Sequence, residues 1–363
     1  MAYTTIDDPS VYFQTTLYTG SDDASATKVV TNGGNSDLQP DWVWFKRRNA
    51  SANHAWQDTS RGIGNGISSS SGGAEVNDDF GITAIGSDGF SVRENAQAAG
   101  EINQGNMVAW QWKVNGGTTT AFNESGNNPG GVHQSNAEAG ISIVTYTGTG
   151  AAGGTVTHGL GAIPDLIHLK SRDAGEGWVS YWNVPAFTGE NGFLGLNSTG
   201  GFSDSAGEWN DTIPTSSVFT VGNQGRVNDD AEKYVAYCFK SIQGFSAVGS
   251  YIGNGSTNGR FVYTGFKPGW ILYRKNASSN WHILDNKRDT IGVNNIGLDA
   301  NNTNADANDA NLQMDFLSNG FKLRTSHATA NASSTTYIYW AIAESPFVSS
   351  TGAPTTAGGR SIT

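Results

Sequence analysis

The chain has 363 residues, with 21 Lys and Arg against 32 Asp and Glu, a formal net charge of −11. Such an acidic surface repels polyphosphates, which excludes nucleic acid as an expected partner. Charged residues are only 15%, while glycines number 48 and the rings include 11 Trp, 12 Tyr and 16 Phe; this composition excludes disorder and points to strands joined by tight turns.

In chain order, residues 1–16 read as an N-terminal arm. Its start, Met1-Ala2-Tyr3-Thr4-Thr5-Ile6-Asp7-Asp8, has neither a basic region nor an apolar core, so no signal peptide is expected. No apolar stretch nears the roughly 20 residues that span a bilayer, so no membrane insertion is expected either. The first repeat, 17–114, opens on Tyr18-Thr19-Gly20. It continues with the proline-led run Pro40-Asp41-Trp42-Val43-Trp44-Phe45-Lys46, then Trp56 and Phe90, and closes on Val108-Ala109-Trp110. Residues 115–140, rich in Gly, Asn, Thr and Ser, read as a hydrophilic linker. The second repeat, 141–241, carries the same landmarks at Tyr146, Pro164 to Lys170, Trp178, Phe219 and Val235-Ala236-Tyr237. The third, 242–348, follows after a short joint and carries them at Tyr251, Pro268 to Arg274, Trp281, Phe321 and Trp340-Ala341-Ile342. Residues 349–363 form a C-terminal tail.

From the opening tyrosine to the closing alanine the three separations are 91, 90 and 90 residues. Units of this size with short alternating strands predict an all-β chain of three tandem β-sandwich or jelly-roll-like (lectin-like) repeats, each about 90–100 residues long and stable by itself. In the last closing strand Tyr337, Tyr339 and Ala341 face one way, and Ile338, Trp340 and Ile342 the other. One face should fill the sandwich, and the other should pack on a loop or on the next repeat.

The motifs that resemble chemistry read as structure. Gly148-Thr149-Gly150-Ala151-Ala152-Gly153 spells a dinucleotide-binding fingerprint, but a strand-like Gly154-Thr155-Val156-Thr157 follows where a helix is required, so a hairpin turn is expected. Asp299, Asp306, Asp309 and Asp315 suit a solvated loop better than an EF-hand, whose sixth and twelfth positions would be Asn304 and Ala310; calcium in residues 299–315 is left open. Cys238, the only cysteine, lies in an apolar run and should be a buried thiol, and His168 a core histidine. With no serine-hydrolase elbow and no zinc-binding His-Glu-x-x-His, no catalytic residues, metal or cofactor are expected.

Large rings found in one repeat only are the freest to bind a ligand. In the second repeat these are Trp182, Phe187, Phe202 and Trp209, with Asp211 nearby. Flat rings beside carboxylates suit sugar faces and hydroxyls, or a partner protein.

The strings Phe261-Val262-Tyr263-Thr264-Gly265-Phe266-Lys267-Pro268, Thr215-Ser216-Ser217-Val218-Phe219-Thr220-Val221-Gly222 and Asp315-Phe316-Leu317-Ser318-Asn319-Gly320-Phe321-Lys322-Leu323-Arg324-Thr325-Ser326 resemble signatures of a family encoded by tailed bacteriophages, mostly marine ones. The likeness implies a virion-associated, non-enzymatic structural protein. Such a protein would be made in the host cytoplasm, present in many copies or as a homo-oligomer, and bound to other capsid or tail proteins. A receptor- or glycan-binding tail-fibre adhesin recognising a host surface glycan is the alternative expectation, and a polysaccharide depolymerase the third.

Overall fold

The computed structural model of the chain describes residues 3–23, 26–77, 81–93, 101–185, 187, 189–289 and 293–355. Among them the chain is all-β, with helices of no more than one turn, and no helix is long and apolar enough to cross a membrane. Three antiparallel sheets share one connectivity. Each contains an opening strand (Phe13–Thr19, Ile141–Thr147, Ser246–Ile252) and a proline strand (Trp42–Arg47, Leu166–Ser171, Phe266–Lys275). Each also contains a third strand (Ala55–Asp58, Val179–Trp182, His282–Asp285) and a closing strand (Asn106–Trp112, Lys233–Phe239, Thr336–Pro346). In all three the order across the sheet is opening, closing, proline, third.

A smaller sheet covers the outer face of each large one. Thr27–Thr31 pairs with Gly89–Arg93, and that strand with Gly81–Gly86; Gly154–Thr157 pairs with Val218–Val221; Phe261–Tyr263 pairs with Gly320–Leu323, and that strand with Met314–Leu317. Each sandwich has its own apolar filling, anchored by Phe90, Phe219 and Phe321. The fingerprint glycines 148–153 lead from a large sheet into a small one, so the expected strand follows, but the turn joins two sheets and is no hairpin.

The inner faces of the three large sheets close on one another around a common core. Trp42 packs on Tyr237 at 4.9 Å, Trp112 on Trp340 at 5.7 Å and Phe239 on Trp340 at 4.2 Å, so every pair of sheets is in contact. Ten of the eleven tryptophans lie in this core, and all ten are almost fully buried. This is why both faces of the closing strands are apolar: the outer face fills the sandwich and the inner face meets the other two sheets. The structure argues against self-sufficient units, because a single segment would expose its share of a common aromatic core.

Strand register refines two landmarks. Phe45 faces Ala109 and Leu169 faces Ala236, whereas Tyr273 faces Tyr339; Tyr339, not Ala341, is therefore the third closing position. The third strands show that Trp178 and Trp281 match His54, while Trp56 matches Ser180 and Ile283.

Residues 115–140 are not a loose linker. Thr120–Phe122 and Gly130–Asn136 form a hairpin that extends the second sheet along its opening strand. The N-terminal arm is also packed: Ile6 is buried, Tyr3 donates to the Gly265 carbonyl at 2.8 Å, and Asp7 accepts from the Ser350 amide at 2.6 Å. Of the tail, residues 356–363 lie outside the described residues.

Candidate functional site

The polar side chains that could carry chemistry are concentrated where the three sheets meet, and they occur in matched sets. Trp178 Nε1 donates to the Ser68 carbonyl at 2.8 Å, Trp281 Nε1 to that of Gly195 at 2.8 Å, and His54 Nε2 lies 3.1 Å from that of Asp299. Register makes the three donors equivalent and the three acceptors equivalent. The bonds run from the second segment to the first, the third to the second and the first to the third, which closes a ring. His54 can take part because Trp44 Nε1 donates to its Nδ1 at 2.8 Å, leaving the proton on Nε2. Burial, and then the charge of Lys46, keep this imidazole well below its usual pKa, so it stays neutral.

A second set pairs acids with donors across the joints. Tyr237 donates to Asp58 at 2.7 Å and Trp110 Nε1 to Asp285 at 3.1 Å. Each acid also binds an arginine three residues on, Asp58 with Arg61 and Asp285 with Arg288, at 2.6 Å with all four side chains buried. The equivalent acid position in the second segment is Trp182, which stacks on Trp281 at 5.6 Å. A third set, closer to the surface, joins Arg172 to Glu75 and Arg48 to Asp306, each at 2.7 Å. Phe202 takes the corresponding acid position in the second segment and stacks on Phe187 at 5.2 Å. The cations ending the proline runs are buried too. Lys46 binds the Thr303 carbonyl at 3.2 Å and Arg274 that of Gly200 at 2.7 Å, both across joints, while Lys170 binds the Ser171 and Ala174 carbonyls in its own segment. Burial brings the Lys46 and Lys170 ammoniums down to about 8.

The residues proposed from sequence do not converge on a ligand site. Trp182 lies in the common core and Trp209 in the second sandwich, edge-on to Tyr181 at 5.7 Å, both almost fully buried. Phe187 and Phe202 are half-buried against the core, and Asp211 is exposed on a turn at φ +46°. Trp182 and Phe202 differ from their counterparts because they replace paired acids, not because they face solvent. The Asp-rich stretch is equally committed: Asp299 contacts His282 at 2.6 Å, Asp306 binds Arg48, Asp309 caps a turn and Asp315 binds Arg324. Among the described residues no three His, Cys, Asp or Glu side chains gather as metal ligands. His168 is buried with Nδ1 2.7 Å from Ser180 Oγ, and burial pushes its pKa down to about 3; Cys238 is buried, and burial pushes its thiol up.

Among the described residues two accessible features stand out, neither read from the sequence. One is a strip on the small sheet of the third segment, where Phe261 and Tyr263 are 43% and 57% exposed beside Ile252 and Arg260. Alternation along Phe261–Tyr263 puts both rings on one face of that strand. The other is a groove of about 450 Å³ between the opening strand of the first segment and the third segment. No curated protein and no solved structure matches the chain. A family model described as a domain of unknown function (DUF7483) matches residues 8–346, and the protein therefore belongs to that family.

Proposed function

We propose that the chain is a non-enzymatic structural protein on the surface of a tailed-bacteriophage particle, as a capsid decoration or a part of the tail apparatus. The observation that carries this reading is where the reactive side chains go. Asp58 and Asp285 with their arginines, Glu75 and Asp306, and Lys46, Arg274 and His54, which could serve catalysis, are tied into bonds across the joints between sheets, so the sequence invests this chemistry in rigidity. The phage-family resemblance of the strings at 215–222, 261–268 and 315–326 supports the particle assignment. Three sheets of like connectivity closed in a ring would also let one chain imitate a trimer on a threefold axis of a shell or tail. Purified virions separated into heads and tails test the reading. A band of about 38 kDa should follow one fraction in multiple copies, and its absence from washed particles would defeat the proposal.

A glycan-binding adhesin is the second reading, and one observation favours it: the exposed rings of Phe261 and Tyr263 beside Arg260. On a glycan array, Phe261→Ala and Tyr263→Ala should then abolish binding without loss of fold.

A further inference from the structure

Two of the joints between segments have a slot beside an opening strand, and the chain fills the two differently. At the joint of the first and second segments the slot lies between the opening strand Ile141–Thr147 and residues Asp41, Thr59 and Ser60. The strand Gly130–Asn136 fills it, antiparallel to the opening strand, with Gln134 opposite Ile143 and Val132 opposite Thr145. Gln134, fully buried, donates to Thr59 Oγ1 and Ser60 Oγ at 2.9 Å each and accepts from the Asn115 and Gly117 amides. Asn136 donates to the Val114 carbonyl at 3.0 Å.

The groove of about 450 Å³ is the same slot at the joint of the third and first segments. Equivalence is fixed by one repeated bond: the Thr59 amide donates to the Asp41 carbonyl, the Asn183 amide to that of Asp165, and the Asn286 amide to that of Gly269. Asn286 and Lys287 thus stand where Thr59 and Ser60 stand, and both line the groove with Gly269 and Glu344. Its floor is the opening strand Phe13–Thr19, whose only strand partner among the described residues is Asn106–Trp112. The bonds from the Lys113 amide to the Tyr12 carbonyl and from the Gly20 amide to the Gly105 carbonyl set the alternation. Even-numbered residues pair inward, so the backbone groups of Thr15 and Leu17 point into the groove. They correspond to Ile143 and Thr145, which are paired with the filling strand. Among the described residues, none pairs with the Thr15 or Leu17 backbone.

We propose that this groove binds an extended, acidic peptide segment of a partner protein as an added antiparallel strand. The strand geometry comes from Gly130–Asn136 in the equivalent slot. The acidic character comes from charge. Lys287 replaces Ser60, is exposed and has no carboxylate partner among the described residues, whereas Glu344 is held by Lys267 at 2.6 Å and Asp8 accepts from the Ser10 amide and Ser36 Oγ. A carboxylate at the position of Gln134 would meet Lys287, and an amide two residues later would meet the backbone at Glu344 as Asn136 meets Val114. The inference stands apart from both functional readings, since the virion reading rests on the bonds inside the joints and the adhesin reading on Phe261 and Tyr263, which do not line this groove.

The probe is the synthetic heptapeptide of residues 130–136 carrying Gln134→Glu, added to the full chain and followed by residue-resolved amide exchange. It should saturate at one peptide per chain and slow exchange at Thr15 and Leu17 at least tenfold. It should also bind at least tenfold more tightly than the same peptide carrying Gln134→Lys. Lys287→Glu in the protein, an exposed change, should reverse that order. Thr15→Pro, which removes an amide not used inside the sheet, should abolish binding while the tryptophan near-ultraviolet signal is kept. Equal affinity of the two peptides, or binding that survives Thr15→Pro, would overturn the proposal. So would Thr15 and Leu17 amides already protected without peptide, whether at all concentrations or only as the chain self-associates; the groove would then belong to the chain itself or to a second copy.

Discussion

The first and third segments meet their neighbours through buried acid–arginine pairs, Asp58–Arg61 and Asp285–Arg288, whereas the second offers Trp182 at the same place. The outer ring repeats the contrast: Glu75 and Asp306 bind arginines, and Phe202 stacks on Phe187. One geometry therefore closes with either chemistry. This fits the general finding that a buried ion pair and a well-packed apolar group are of similar net worth, while half of an ion pair is costly.

Asp285→Ala breaks the comparison most severely. It leaves the Arg288 guanidinium buried without its acid and should cost about 3–5 kcal/mol in denaturant unfolding. Replacing both members, Asp285→Leu with Arg288→Leu, should recover most of that loss; a double variant as unstable as the single one would show that the pair itself is required. Trp209→Ala tests whether the rings unique to the second segment serve packing. A loss of about 3–5 kcal/mol is expected from the cavity, whereas a lost ligand with unchanged stability would restore the binding role read from sequence.

His168 sharpens the contrast by pH. It stands where Trp44 and Leu272 stand in the other sheets. The unfolded chain takes up a proton near pH 6.5, and the folded chain only near 3. Its contribution is therefore intact above pH 6.5 and declines as the pH falls towards 3, by about 3 kcal/mol at pH 4. His168→Leu should remove that part of the acid slope; an unchanged slope between pH 6.5 and 4 would place the sensitivity elsewhere. The smallest effect is expected from Arg48→Met, which removes a partly exposed ion pair with Asp306 and should cost under about 1 kcal/mol.

The all-β class and the apolar character of both closing-strand faces were legible in the sequence, because period-2 patterning and aromatic runs report burial directly. The identity of what covers the inner face was not. Covering by a loop and by two other sheets demands the same residues, and only the fold shows Trp42 against Tyr237 and Trp112 against Trp340. Register slipped by two residues at Trp56 and at Ala341, since aromatic identity was followed where strand pairing decides. Choosing ligand residues by their difference between repeats selected Trp182 and Phe202, positions where symmetry is broken inside the protein. The shared Asp-x-x-Arg spacing at 58–61 and 285–288 was a readable sign of the joints. The groove beside Phe13–Thr19 had no sequence signal, because it follows from which slot the chain leaves unfilled.

The three sheets depend on one core. The most direct test is the proton–nitrogen NMR spectrum of residues 242–348 expressed alone, which would expose Trp270, Leu272 and Trp340, all buried in the whole chain. A collapsed or aggregated spectrum is expected; dispersed, native-like resonances from that segment in isolation would show that the sheets do not need the shared core.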